Sequence, residues 1–176
     1  MIIREAITSD AQALSELAME TYTEAFGQSF SPSDLAAHLE RNLSAKNFER
    51  ILDEDTVLVT EVDDHLVGFV QFGGADMGAE AVADNDQELR RLYVHADFQN
   101  WGIGTRRMDA ALAHPGLKAA DRIFLDVWEH NHGAQRFYAQ PGFEVVGERK
   151  FLVKSGLETS LDLIMVRRRA ALKDTP

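Results

Sequence analysis

Apolar residues along the chain follow two rhythms, and the change from one to the other marks the elements. Ile2-Ile3-Arg4-Glu5-Ala6 reads as a short strand, and Ser9 followed three residues later by Gln12 is a capping-box pattern opening a helix. Leu14, Leu17, Ala18, Tyr22 and Ala25 then recur at spacings of three and four, one helical face that Gly27 ends. Ser31-Pro32-Ser33-Asp34 is a second start, with a hydroxyl cap, a proline at the first helical position and an acid in the first turn. Leu35, Leu39 and Leu43 line one side of that helix, and Phe48, Ile51 and Leu52 predict a further short helical turn.

The rhythm then shortens. Thr56-Val57-Leu58-Val59-Thr60-Glu61-Val62 and Leu66-Val67-Gly68-Phe69-Val70-Gln71-Phe72 are β-branched and aromatic runs separated by Asp63-Asp64-His65, an antiparallel hairpin. Residues 73–86 are rich in Gly, Ala and Asp without periodicity and predict a loop. A strand at Leu89-Arg90-Arg91-Leu92-Tyr93-Val94, a helix over 103–113 stopped by His114-Pro115-Gly116, and a strand at Ile123-Phe124-Leu125-Asp126-Val127-Trp128 form a β-α-β unit. Its two strands are expected parallel, with a right-handed crossover. A short helix around Ala134, Phe137 and Tyr138 and strands at 143–147 and 161–166 close the pattern. The order predicts an α/β (α+β) fold: a mixed, mostly antiparallel central sheet with one parallel pair, its fourth and fifth strands, flanked by helices.

Composition narrows the class. The 176 residues suit one domain, expected to span 1–176, and with 45% apolar and 27% charged residues the chain has a globular balance. No apolar run approaches membrane-spanning length and the N-terminus lacks a signal-peptide pattern, so a cytoplasmic protein without membrane association is expected. The absence of cysteine removes disulfides, thiolate metal sites and any acyl intermediate on a protein sulfur. A net charge of −11 argues against a nucleic-acid partner and mildly favours cationic ones.

One loop carries candidate chemistry. Gln99-Asn100-Trp101-Gly102-Ile103-Gly104-Thr105 joins strand to helix, with two glycines where the first helical amides have no internal partner. Those amides and the positive end of the helix dipole suit a phosphate or pyrophosphate. Alone, the glycines serve equally as a tight turn. Neither common nucleotide fingerprint is met, since Arg107 stands where a dinucleotide loop has its third glycine and no Gly-Lys-Ser/Thr follows.

Leu92-Tyr93-Val94, the short connection to Gln99-x-x-Gly102-x-Gly104, then Asn131 and Tyr138-x-x-x-Gly142-Phe143, together resemble the GNAT superfamily of acyl-CoA-dependent N-acyltransferases. The resemblance spans the whole order of elements. It implies a GNAT-like acyl-CoA N-acyltransferase fold with acetyl-CoA as cosubstrate and no metal. It also implies that Gly102, Ile103, Gly104 and Thr105 offer amides to the pyrophosphate, with Gln99 leading the turn and Asn100 and Trp101 on the approach. The backbone of Leu92, Tyr93 and Val94 lies beside the pantetheine arm in such proteins, and the Val94 N–H is the implied polariser of the thioester carbonyl. A narrower likeness, to the bacterial spermidine/spermine (polyamine) acetyltransferase branch, rests on Val127-Trp128-Glu129-His130-Asn131, Phe137-Tyr138, Gly147-Glu148, Asp162-Leu163-Ile164-Met165 and Ser31-Pro32-Ser33-Asp34-Leu35 after Phe26. Pro141 departs from that branch and is expected to stop the preceding helix sharply.

Acyl transfer to an amine needs a neutral nucleophile, a polarised carbonyl and a protonated leaving thiolate. Glu88, at the start of the central strand, is the first choice as base, and Glu129 at the end of the next strand is its rival as base or amine-binding carboxylate. Tyr138 suits the acid that protonates the thiolate. Asn131 can cap its helix, bind the pantetheine amide, or do both. His130 and His132 lack an evident third ligand and read as surface residues rather than a metal site. Asp76, Glu80, Asp84 and Asp86 either attract a polycation or serve solvation, and Arg167-Arg168-Arg169 reads as a solvated tail. The expected activity is N-acetyl transfer to a primary amine of a small molecule, such as a polyamine, by direct attack in a ternary complex. The alternatives are a coenzyme-binding regulatory module without turnover and a protein or peptide N-acetyltransferase. A homodimer is compatible with the pattern.

Overall fold

In the computed structural model, residues 1–77, 82–99, 102–152 and 159–169 are described. The strands are β1 (Ile2–Glu5), β2 (Thr56–Val62), β3 (His65–Gly74), β4 (Gln87–Val94), β5 (Arg122–Trp128), β6 (Glu144–Leu152) and β7 (Thr159–Arg168). The helices are α1 (Ala11–Phe26), α2 (Pro32–Leu43), α3 (Ala45–Glu54), α4 (Ile103–Ala113), α5 (Pro115–Ala119) and α6 (His132–Ala139). Hydrogen-bonded neighbours run β1-β2-β3-β4-β5-β7-β6. β4 pairs in parallel with β5 at Gln87 with Ile123 and Glu88 with Phe124, whereas β1 with β2, β2 with β3, β5 with β7 and β6 with β7 are antiparallel. This is the mixed sheet with one parallel pair that the pattern predicts.

The chain divides into two compact units, residues 1–73 with 91–114 and residues 74–90 with 115–176. In the first, Leu14, Leu17 and Ala18 of α1, Leu43, Phe48 and Ile51 of the next two helices, and Val57, Val59 and Phe69 of the sheet form one buried cluster. Phe48 and Phe69 meet edge to face at 5.6 Å, both with no exposed surface. In the second unit Met77, Phe124, Ile164 and Val166 pack together.

Local chemistry explains where the elements depart from expectation. α1 starts at Ala11 after a helical turn over Thr8–Asp10, with Asp10 rather than Ser9 stabilising the turn. Asp10 accepts the Ile7 N–H at 2.8 Å and pairs with Arg4, which holds its carboxyl below the usual carboxylate range, while Gln12 bonds Glu16 instead. Ser31 does cap α2, accepting the Asp34 N–H at 3.2 Å. The β2-β3 turn is two residues long. Asp63 and Asp64 take φ of 49° and 62°, the left-handed pair that a twisted two-residue hairpin demands, so His65 joins the strand opposite Val62. α4 does end at Ala113, where His114 takes an extended backbone, and Pro115 then opens the short α5, as proline is tolerated in a first turn.

α6 ends differently too. Gln140 keeps a right-handed helical backbone, and Gly142, at φ 96°, turns the chain so that its N–H bonds Ala139 O and the Phe143 N–H bonds Tyr138 O. Glycine therefore makes the stop, and Pro141 sits inside the cap without cutting the helix short. Arg167, Arg168 and Arg169 do not form a solvated tail: the first two belong to β7, Arg167 donates to Pro141 O, and Arg169 pairs with Asp121 at 2.8 Å.

Candidate functional site: an amide cradle and a buried carboxylate array

The first unit carries the strand-loop-helix segment. The His95 N–H donates to Val67 O of β3, so along this antiparallel pair the main-chain groups of Tyr93 and His95 turn toward β3. Those of Leu92 and Val94 turn to the opposite edge of β4. Leu92, Tyr93 and Val94 are all half-buried, and the Tyr93 ring packs on Phe69 at 5.3 Å, where burial raises its phenol pKa. Gln99 is exposed and its side-chain amide donates to Val94 O at 3.4 Å. Asn100 and Trp101 lie outside the described residues.

Gly102 opens α4 with φ 71°, a left-handed backbone that side-chain-bearing residues adopt only at a cost. The first intrahelical donor is Arg106, whose N–H bonds Gly102 O at 3.0 Å. The amides of Ile103, Gly104 and Thr105 precede it, first-turn donors of the kind that suit an anion. Ile103 is buried and anchors that turn, while Gly102 and Thr105 face solvent and Gly104 is half-buried. The arrangement suits a diphosphate.

The second unit gathers carboxylates on one sheet face. Glu88 is nearly buried, but its Oε2 already accepts from Arg90 at 2.7 Å and from the Asp76 N–H at 3.1 Å. Asp126 of β5 lies on the same face because Glu88 pairs with Phe124, two residues before it. Asp126 was not singled out from the sequence, where it is one acid in an apolar strand. Its Oδ2 pairs with Arg149 of β6 at 2.8 Å, and its Oδ1 is buried with no partner among the described residues. Burial raises its pKa to about 6, with Asp162 and Glu88 pushing the same way and Arg149 opposing. Asp162 of β7, cross-strand from Arg149, is raised as well, by burial and by Glu129.

Glu129 sits in the turn after β5, half-buried and 3.7 Å from His130. Asn131 caps α6, its Oδ1 accepting the Ala134 N–H at 3.0 Å, and Tyr138 is half-buried with its ring 6.1 Å from Phe143. The acidic loop is not a uniform lure for cations: Asp86 is buried, takes Arg122 in a forked pair and accepts the Ala83 N–H. Asp76 and Asp84 are exposed, and Glu80 is outside the described residues. His130 and His132 are exposed, and among the described residues no three His, Asp or Glu side chains gather as a metal site. Among those residues, too, no helix is long and apolar enough to cross a membrane.

Comparison with known proteins gives this geometry a family. The model of the acetyltransferase (GNAT) family matches residues 11–143. An uncharacterized N-acetyltransferase of Mycobacterium tuberculosis is 30% identical over 161 residues, 90% of this chain and 97% of the relative. The chain belongs to the GNAT acetyltransferase family, and its reaction class is N-acetyl transfer with acetyl-CoA as cosubstrate. The spermine/spermidine N(1)-acetyltransferase of Bacillus subtilis is 31% identical over 87 residues, 49% of this chain and 57% of that protein. The fold matches the PaiA N-acetyltransferase of Thermoplasma acidophilum, solved with coenzyme A, at a TM-score of 0.74 and 21% identity, covering 96% of this chain and 98% of that one.

Proposed function

We propose that this protein acetylates a primary amine of a small, cationic molecule by direct attack on acetyl-CoA. The observation that carries the reading is the left-handed Gly102 opening α4 ahead of three first-turn amides, an anion cradle directly after the strand whose edge away from β3 carries Leu92 and Val94. The cradle takes the diphosphate, the Leu92 and Val94 edge takes the pantetheine arm, and the Val94 N–H polarises the thioester carbonyl.

The amine arrives protonated, since an alkylammonium of pKa ~10.4 is neutral only about once in 10³ molecules at pH 7. Asp126 is our choice of proton acceptor over Glu88 and Glu129. Glu88 and Asp126 each have one oxygen on an arginine, but burial and neighbouring acids raise the Asp126 pKa to about 6, and its buried Oδ1 has no partner among the described residues. Tyr138 supplies the proton for the departing thiolate. Asp126, Asp162, Glu88 and Glu129 make an anionic setting suited to a polyamine, and the likeness to the Bacillus subtilis spermine/spermidine enzyme supports that acceptor class.

The test is acetyl-CoA binding by calorimetry together with thiol release against polyamines, aminoglycosides, amino acids and N-terminal peptides. Thiol release that requires an amine and is fastest with polyamines is expected. Tight binding without turnover on any acceptor points instead to a regulatory module, and turnover confined to peptides to a protein acetyltransferase.

A further inference from the structure

Arg107 breaks the rule that a buried cation is met by a carboxylate. It projects from α4 with no exposed surface, and burial alone holds its pKa down at about 10, so it stays charged at neutral pH. Its Nε donates to Thr60 Oγ1 of β2 at 2.9 Å and its Nη1 to the main-chain oxygen of Tyr93 on β4, while Nη2 has no partner among the described residues. Between those contacts it crosses β3 at Gly68, where a Cβ would run into both terminal guanidinium nitrogens and the Tyr93 oxygen. One side chain thus spans three strands, and a glycine makes way for it.

The oxygen it holds belongs to the peptide that joins Tyr93 to Val94. That peptide is trans, so its C=O and N–H point in opposite directions, and pinning the oxygen toward α4 aims the Val94 N–H at the other edge of the strand. A charged donor on the carbonyl also draws electrons through the amide and makes its N–H a stronger donor. Resting on the placement of the thioester in the preceding subsection, we propose that Arg107 is a positioning residue for acetyl transfer, orienting and polarising the Tyr93–Val94 peptide so that the Val94 N–H stabilises the charge developing on the thioester oxygen.

Tyr93–Val94 is the single Tyr-Val step in the sequence, so protein labelled with carbonyl-¹³C tyrosine and ¹⁵N valine gives one carbonyl-correlated amide signal for this peptide. In the wild type a ketone analogue of acetyl-CoA, unable to transfer its acetyl group, is expected to move the Val94 amide proton downfield. Arg107→Met is expected to shift the Tyr93 carbonyl signal of the free protein, to abolish most of the analogue's effect, and to lower kcat about tenfold or more with the KM for acetyl-CoA within about threefold. Arg107→Lys, keeping charge but not the planar fork, should recover part of both. If Arg107→Met does not fold, Arg107→Lys carries the same comparison, and a lysine variant with native signal and native kcat overturns the proposal. An analogue that binds the wild type without moving the Val94 amide sinks the thioester placement and this inference with it. An amide that moves equally in wild type and variant, or an unchanged kcat, sinks the role of Arg107 alone.

Discussion

Removing Asp126 tests the proton-transfer reading most directly. Its carboxyl is raised to about 6 because burial, Asp162 and Glu88 disfavour the charged form more than Arg149 favours it. With a pKa near 6 the ionised fraction is about 0.9 at pH 7 and about 0.1 at pH 5, so a base of this kind loses roughly tenfold of its active form across that range. Glu88, Arg149 and Asp162 bear on that carboxyl directly, Arg90 pairs with Glu88, Glu129 raises Asp162 in turn, and amine ionisation adds a limb of its own. The diagnostic is therefore one additional unit of slope in log kcat/KM below about pH 6. Asp126→Asn should erase that extra slope and lower kcat/KM by about 10²–10⁴ at pH 7.5, the usual span for loss of a general base. Acetyl-CoA affinity should stay within about threefold, because the proposed cradle lies on other residues. Initial rates of thiol release from pH 4.5 to 9, with circular dichroism confirming the fold at each end, provide the measurement. A break near pH 6 that survives in Asp126→Asn would refute the assignment, and Glu88→Gln or Glu129→Gln would then have to remove it. Linkage gives a separate check: a carboxyl raised in the fold opposes folding when ionised, so its cost is present above about pH 6 and relieved as pH falls through that value.

Tyr138→Phe should cut kcat by about 10²-fold with acetyl-CoA binding nearly unchanged, and equal turnover would remove the phenol as the acid. Gly104→Leu, read by calorimetry, should weaken acetyl-CoA binding by about tenfold or more because the amides then face a bulky side chain; unchanged affinity contradicts the phosphate placement. Asp86→Ala should destabilise the protein by about 2–3 kcal/mol in urea unfolding, less than for a fully enclosed ion pair because Arg122 keeps about a third of its side-chain surface in water. Since Arg122 lowers the Asp86 pKa, that contribution is present above the ordinary carboxylate pKa and lost as pH falls through the depressed one; a variant with the same acid midpoint as the wild type would show the pair to be inert.

Periodicity along the chain determined the alternation of helices and strands, because burying one helical stripe or one strand face leaves a pattern in the residues themselves. It located the glycine turn and the caps at Ser31 and Asn131, features of local geometry, whereas the phenol of Tyr138 was picked out by the resemblance to the GNAT superfamily. The two-residue hairpin, the Gly142 stop and the short turn before α1 were harder to read, since each depends on which of two neighbouring residues accepts the strained or capping position. What lay beyond the sequence was long-range partnership. Glu88 reads as a base until Arg90 and the Asp76 amide occupy it, and Asp126 reads as an ordinary strand residue until Arg149, Asp162 and Glu88 surround it. Arg107 reads as a polar residue in a helix until Thr60, Gly68 and Tyr93 are brought around it. A proton affinity or a pinned peptide is set by charges and dipoles a few ångströms away, and only the packed sheet decides which residues those are.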